Sequence, residues 1–200
     1  MVRSRLQIIY IPGLGDERVS GQNMAIKTWR LWRVTPTLFQ MNWANGEAFA
    51  PKLERLLQLI DEKASTGTVS LVAASAGATA AINAYAARTS NITGVVLIAG
   101  KVHNPHAISD SFKKRNPAFG QSAYLSQQSL AKLTKDDRSH MLSIRGKSDD
   151  WVPAHDSILE DAYNKVVRTT NHFVTIATQL VFGAPSFLRF LKRQDKLHQS

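Results

Sequence analysis

The sequence predicts an α/β protein: a mostly parallel six-stranded sheet with helices on both faces. Three observations lead there. Apolar, β-branched runs alternate with helical stretches along the chain. Those runs are continuously apolar, as expected of parallel strands covered on both sides. The chain has 200 residues, 44% hydrophobic and 20% charged, which suits one globular domain that buries about 70% of its unfolded surface. No Pro/Gly/Ser-rich linker, repeat or low-complexity tract divides residues 1–200.

The strands follow in order. Leu6–Ile11 is apolar and ends at Pro12-Gly13. Trp32–Gln40 is weaker, because Pro36 limits it to a short strand or extended loop. Thr68–Ala74 has the composition of a buried strand, and Gly94–Gly100 holds five apolar residues between glycines. His140–Gly146 and Lys165–Thr170 complete the six. Between them, Glu47–Ala64 sets Phe49, Leu53, Leu56, Leu57, Ile60 and Ala64 at helical spacing. Pro51 fits there only in the first turn. Ala76–Arg88 is alanine-rich, and Pro153–Asn164 opens on a favoured first helical residue. Phe173–Arg193 reads as helical at both ends, with a break at Gly183 and Pro185.

Composition narrows the chemistry. The absence of cysteine excludes disulfides, thiolate metal sites and a cysteine nucleophile. The basic start and short apolar run of MVRSRLQIIYIPGLG read as a first core strand of a cytoplasmic protein, because a signal peptide needs a longer apolar region. Phe173 to Leu191 contains Thr, Gln, Gly, Pro and Arg, and reads as too interrupted to span a membrane. The net charge of +10 attracts anionic partners in principle. Its basic residues are scattered from Arg3 to Lys196, and the only tight run is Lys113-Lys114-Arg115. Without a nucleic-acid motif or interleaved aromatics, the surplus reads as a solvated basic surface with at most weak contact to anionic surfaces.

In such a sheet, reactive groups gather at the carboxyl ends of the strands. After the first strand comes PGLGDERVSG. A dinucleotide site needs a third glycine, where Arg18 stands, and an acid near the end of the second strand, where none occurs. The loop remains as an oxyanion binder or a plain tight turn. After the third strand comes Ala73-Ala74-Ser75-Ala76-Gly77, opening into a helix. A serine raised on a sharp strand-to-helix turn needs small neighbours two residues away on each side. The positive helix end favours a developing anion there. The same pentapeptide equally suits a serine that merely caps the helix.

After the fifth strand comes GKSDDWVP, where Asp149 or Asp150 is able to orient a histidine or cap the next helix. After the sixth comes TTNHF, with His172 at the strand end. His140 starts a strand, His155 lies in a helix and His198 in the tail; His103 and His106, after the fourth strand, are the weaker competitors. Glycine loop, serine, acid and histidine thus lie at four strand ends, in the order Ser, Asp, His.

With these residues assembled, the sequence resembles the α/β-hydrolase family from IIYIPGLG to the last helix, in minimal form with a short cap or none. The resemblance makes AASAG the nucleophile elbow, GKSDDWVP the acid loop and NHF the histidine loop. Matching Gly146 and Val152-Pro153 to the family pattern Gly-x-x-Asp-x-x-Val-Pro selects Asp149 over Asp150. It implies Ser75, Asp149 and His172 as catalytic residues, the backbone N–H groups of Leu14 and Ala76 as the oxyanion hole, and Gly13, Gly15 and Gly77 as residues shaping the site. Pro12 departs from the histidine of many relatives, and Ala73 from the usual glycine. Relatives often carry a cap where this chain has Lys101 to Ser139. SQQSLAKL reads as the crossover helix there, leaving 101–125 as a short lid loop and the site fairly open. Among Trp29, Trp32, Trp43 and Trp151, Trp151 is the expected pocket wall.

The implied activity is carboxylic ester hydrolysis through an acyl-enzyme, on a small-molecule substrate and with no metal or organic cofactor. Thioester or amide hydrolysis and acyl transfer use the same triad. A binding protein on the same scaffold is the non-catalytic alternative.

Overall fold

The computed structural model describes residues 5–199. Residues 1–4, including the basic start with Arg3, and Ser200 lie outside the described residues. Six parallel strands form one sheet in the order β2-β1-β3-β4-β5-β6. They are β1 (Gln7–Ile11), β2 (Thr35–Leu38), β3 (Val69–Ala74), β4 (Ile92–Ile98), β5 (Met141–Gly146) and β6 (Tyr163–Val167). β3 and β4 are buried along their whole length, which is why their sequences carry no polar alternation. Pro36 lies on the edge strand β2, where a missing N–H costs no ladder bond. β6 begins two residues earlier than Lys165, because this opposite edge is largely exposed and leaves no apolar signature.

Along β1, Ile9 and Ile11 enter one core, and Ile8 and Tyr10 enter the other. The first core is covered by α2 (Phe49–Ala64), α3 (Gly77–Ala87) and α5 (Pro117–Lys132). Pro51 sits in the first turn of α2, as its missing N–H requires. The second core is covered by α1 (Ser20–Lys27), a 3-10 turn over Thr28–Trp32, and a long helix near the carboxyl end. Trp29 ties this layer together. Its indole N–H donates to the Leu180 carbonyl at 2.9 Å, and its ring meets Tyr10 and Phe187 edge-on at 6.0 and 5.3 Å. α1 gave no clear sequence signal: Val19 supplies no side-chain cap, and Ile26 is its one buried residue.

Several expectations are corrected. The long helix does not break at Gly183 and Pro185. α8 (His172–Thr178) passes through a π turn (Gln179–Gly183) into α9 (Ala184–His198). The wider turn accommodates Pro185 at the start of α9. His172–His198 is therefore continuous over 27 residues, and with an 18-residue stretch of mean hydropathy 1.3 it is long and apolar enough to cross a membrane by length and composition alone. It nevertheless buries Leu180, Phe187, Leu188 and Leu191 in the second core.

Pro153–Asn164 is not one helix either. α7 covers only Ala154–Ser157. Asn164 then bonds both the N–H and the carbonyl of Leu159, pulling the chain into a turn that buries Leu159. The segment 101–125 is largely helical rather than a loop. It holds a 3-10 turn (Pro105–Ala107), α4 (Asp110–Arg115) and the start of α5 at Pro117, nine residues before Ser126. Ser109 caps α4 by accepting from the Phe112 N–H, and α6 (Lys135–Ser139), capped by Thr134 and Asp137, leads into β5.

Candidate active site

Ser75 follows β3 directly, with φ at 52°. A residue with a Cβ resists this left-handed conformation by roughly 1–2 kcal/mol, so the surroundings must impose it. The Ser75 N–H donates to the Ile98 carbonyl at 3.0 Å, tying the turn to the end of β4. On either side, backbone approaches too closely for a side chain. A Cβ on Gly13 would lie 2.7 Å from the Ser75 Cβ, and one on Gly77 would lie 2.4 Å from the Ile11 carbonyl oxygen. Ala73, by contrast, packs as a core residue within β3, in register with Ile11 and Leu97. Ser75 does not cap α3, which has no side-chain cap at its N-terminus.

The Ser75 hydroxyl instead lies 2.9 Å from His172 Nε2. His172 Nδ1 lies 2.8 and 3.1 Å from the two Asp149 carboxylate oxygens. A carboxylate only accepts, so Nδ1 carries the proton and Nε2 is free to accept from Ser75. The imidazole is 2% exposed. Trp151 stacks over it at 6.2 Å, and Phe173 meets it edge-on at 5.5 Å.

The two adjacent acids divide the work. Asp149 takes the ring, and its Oδ1 also accepts the N–H groups of Trp151 and Val152. Asp150 takes the backbone: its carboxylate accepts the His172 N–H at 3.0 Å and the Asn171 side-chain N–H at 3.1 Å. Asn171 in turn caps α8 by accepting from the Val174 N–H. His103 meets the Ile158 carbonyl, His106 meets Tyr124, His140 meets Gln194 and His155 meets Asp156, all apart from Ser75.

The backbone N–H groups of Leu14 and Ala76 have no hydrogen-bond partner among the described residues. Both residues line a cavity of about 370 Å³ beside Ser75, with Ile108, Phe112, Phe119 and Trp151. A second hollow of about 140 Å³ lies against Ser75 and His172, bounded by Gly13, Gln22, Phe173 and Leu180. Ser75 thus stands between two compartments. A larger hollow of about 620 Å³, lined by His103, Arg138 and His155, shares no residue with either. Trp151 does border the main cavity, whereas Trp29 and Trp43 are core residues.

The first loop is held from a distance. Trp43 donates its indole N–H to the Pro12 carbonyl at 3.2 Å. Asp16 is 1% exposed and accepts the N–H groups of Asn42 and Trp43. Burial pushes its carboxyl above the usual range, against the pull of those two bonds. Lys52, fully buried, donates to the Met41 and Asn42 carbonyls and to the Asn45 side chain, fixing the segment that carries Trp43. On the far wall of the cavity, the Lys101 ammonium pairs with Asp156, whose carboxylate also accepts from Asn104. Sequence reading missed Asp16, Lys52 and the Lys101–Asp156 pair, and it weighed Trp43 and Asp150 without finding the bonds they make. Only the acid next to the glycine loop and the doubled aspartate offered a signal. Among the described residues no group of three or more His, Asp or Glu is placed to hold a metal ion.

No family model matches the sequence, and no curated protein matches it. Solved structures do match. A carboxylesterase structure from the thaumarchaeon Nitrososphaera gargenis superimposes with a TM-score of 0.69 at 11% identity, over 96% of this chain and 92% of that one. The monoacylglycerol lipase of Paleococcus ferrophilus gives 0.64 at 13% identity, over 94% of each chain. An alpha/beta hydrolase enzyme from a lagoon-sediment metagenome of Mar Chica gives 0.63 at 14% identity, over 99% and 94%. At such low identity the likeness is one of architecture, and it runs along nearly the whole chain: the protein has the α/β-hydrolase fold.

Proposed function

We propose that the protein is a serine hydrolase that cleaves carboxylic esters through an acyl-enzyme. The observation that carries this reading is the hydrogen-bonded chain from Ser75 through His172 to Asp149, beside two unpartnered backbone N–H groups. Ser75 attacks the ester carbonyl as His172 takes its proton at Nε2. The tetrahedral oxyanion is held by the Leu14 and Ala76 N–H groups, each worth roughly 3 kcal/mol in comparable sites. His172 then returns the proton to the leaving alcohol. Water, activated by the same imidazole, releases the acid. Asp149 holds the productive tautomer and stabilises the imidazolium. The two compartments flanking Ser75 separate acyl from alcohol, and the larger, largely apolar one suits a medium-sized chain. The esterase and lipase among the solved proteins of this architecture are in keeping with that chemistry.

The test is turnover of p-nitrophenyl esters of increasing acyl length, beside Ser75→Ala, with products identified. Saturable hydrolysis lost in the variant is the expected result, together with fluorophosphonate labelling at Ser75. Equal turnover by both proteins would sink the assignment. Faster thioester or amide cleavage, or transfer to an added alcohol, would redirect it to another reaction of the same triad.

A further inference from the structure

One outer face of the molecule combines exposed apolar side chains with a strong surplus of positive charge. α1 with its 3-10 turn, and the α8–π–α9 helix, cover the same side of the sheet, so whatever they expose points outward on one surface. Leu31 is 86% exposed, Phe182 82%, Met24 72% and Phe173 57%, with Val174 and Val181 about half exposed. The spacing of Phe173, Ala177 and Val181, and of Val174, Thr178 and Phe182, sets two rows along one helix side. Trp29 bridges to the Leu180 carbonyl behind them, and Lys192 donates to the Trp32 carbonyl, so the two elements form one surface. Singly, exposed apolar residues need no explanation; six on adjoining helices form a patch.

The charge on the same elements is one-sided. Segments 20–33 and 172–194 carry Lys27, Arg30, Arg33, Arg189, Lys192 and Arg193 and no acidic residue, and the rest of α9 adds only Asp195, bonded to Gln199, beside Lys196, whereas the whole chain has 15 acids to 25 Lys and Arg. A second copy of this face brought against it would set cation against cation. RNA would meet the cations, but aliphatic Leu31, Met24, Val174 and Val181 offer bases no stacking surface. A surface that takes protruding apolar side chains and is negatively charged answers both features.

We propose that this face docks on an anionic lipid bilayer, with Leu31, Phe173 and Phe182 entering the headgroup boundary and the six cations pairing with phosphate and other anionic headgroup oxygens. The buried side of the α8–π–α9 helix stays in the core, so the helix lies along the membrane plane. The face reaches the candidate active site at Phe173, next to His172. The inference does not depend on the hydrolase reading, since it concerns binding.

Its test is co-sedimentation of the full chain with vesicles of phosphatidylcholine alone or with phosphatidylglycerol added, across a salt series. Binding only to the anionic vesicles, weakening as salt rises, is expected. Leu31→Ser/Phe182→Ser should keep the melting temperature and weaken that binding by about tenfold or more. Arg30→Glu/Arg193→Glu should abolish it. Several results would overturn the proposal: no vesicle binding at low salt, equal binding to both compositions, or anionic binding untouched by Leu31→Ser/Phe182→Ser. A dimer in sedimentation equilibrium that the apolar pair dissolves would make a second copy the occupant. RNA binding that survives the apolar pair, with no vesicle binding, would assign the cations to nucleic acid.

Discussion

Gly77→Ala puts the geometry of the serine turn to a quantitative test. The added Cβ would lie 2.4 Å from the Ile11 carbonyl oxygen and 2.8 Å from that of Pro12. A relaxed carbon–oxygen contact is roughly 3.3 Å, so the backbones must part by about 1 Å. β1 is bonded to strands on both sides, and the Tyr10 carbonyl accepts the Phe39 N–H at 2.9 Å. The displacement therefore falls on the Pro12–Leu14 loop or on the first turn of α3. Either way the Leu14 and Ala76 N–H groups shift relative to Ser75. On the proposed mechanism, losing one oxyanion donor lowers kcat by about 10²–10³. Overpacking costs about 1–3 kcal/mol, a fall in melting temperature of roughly 2–12 °C for a chain of this size. The sign is diagnostic. Gly77 is the first residue of a helix, and alanine there would stabilise by up to about 1 kcal/mol if space allowed. Differential scanning calorimetry and ester kinetics read the two effects separately. A Gly77→Ala protein that melts higher and retains full kcat/KM would refute the reasoning. Ala73→Gly is the control: it loses about 0.5–1 kcal/mol as a strand glycine and keeps its kinetics.

Three further outcomes are expected. Asp149→Asn should lower kcat by about 10⁴, because an amide is able to donate to Nδ1 and hold the wrong tautomer; Asp150→Asn, which touches only backbone and the Asn171 side chain, should cost about tenfold or less. Equal losses in steady-state kinetics would mean that the two acids share one role. Lys101→Met leaves Asp156, 1% exposed, without its cation, and urea unfolding should show a loss of about 3–5 kcal/mol. Lys101→Met/Asp156→Asn should regain part of it, and an unchanged midpoint in the single variant would show the pair to be idle. Bonding to Arg55, aided by Lys52, holds the Glu47 carboxyl down at about 2. Its folded pKa lies below the unfolded value near about 4.3, so its contribution to stability is present above that pH and fades as pH falls towards about 2. A carboxyl-detected NMR titration should place the Glu47 midpoint there and return it to the usual range in Arg55→Gln; an ordinary midpoint in the native protein would contradict the pairing.

What was legible in the sequence was local. Ser75 and the acid pair follow apolar runs and His172 follows the short edge strand, so their common side of the sheet followed from strand direction alone. The separate jobs of Asp149 and Asp150 did not follow, because residues one apart differ only in where their side chains turn. Helix starts with side-chain caps, such as Ser109 before α4, were present in the sequence, but a polar stretch flanked by aromatics also fits a loop. The supports of the glycine loop were illegible for a different reason: Asp16 and Trp43 act across 27 residues of chain. The truncated α7 turns on the Asn164 side chain, five residues from Leu159. Pro185 misled because the π turn that accommodates it leaves no signature in residue pattern.

That π turn also preserves a phase. The rear of the helix is locked by Phe187, Leu188 and Leu191 in the core, and Gln194 bonds His140 at the start of β5. The front carries His172 to Ser75 at the opposite end of the sheet. The i→i+5 bonding of a π turn takes up one residue more than an α turn, so α8 and α9 keep a common phase across 179–183. Losing one residue there would close the wide turn and leave His172 facing Ser75. The helix carries a spare residue without turning the imidazole away from the serine.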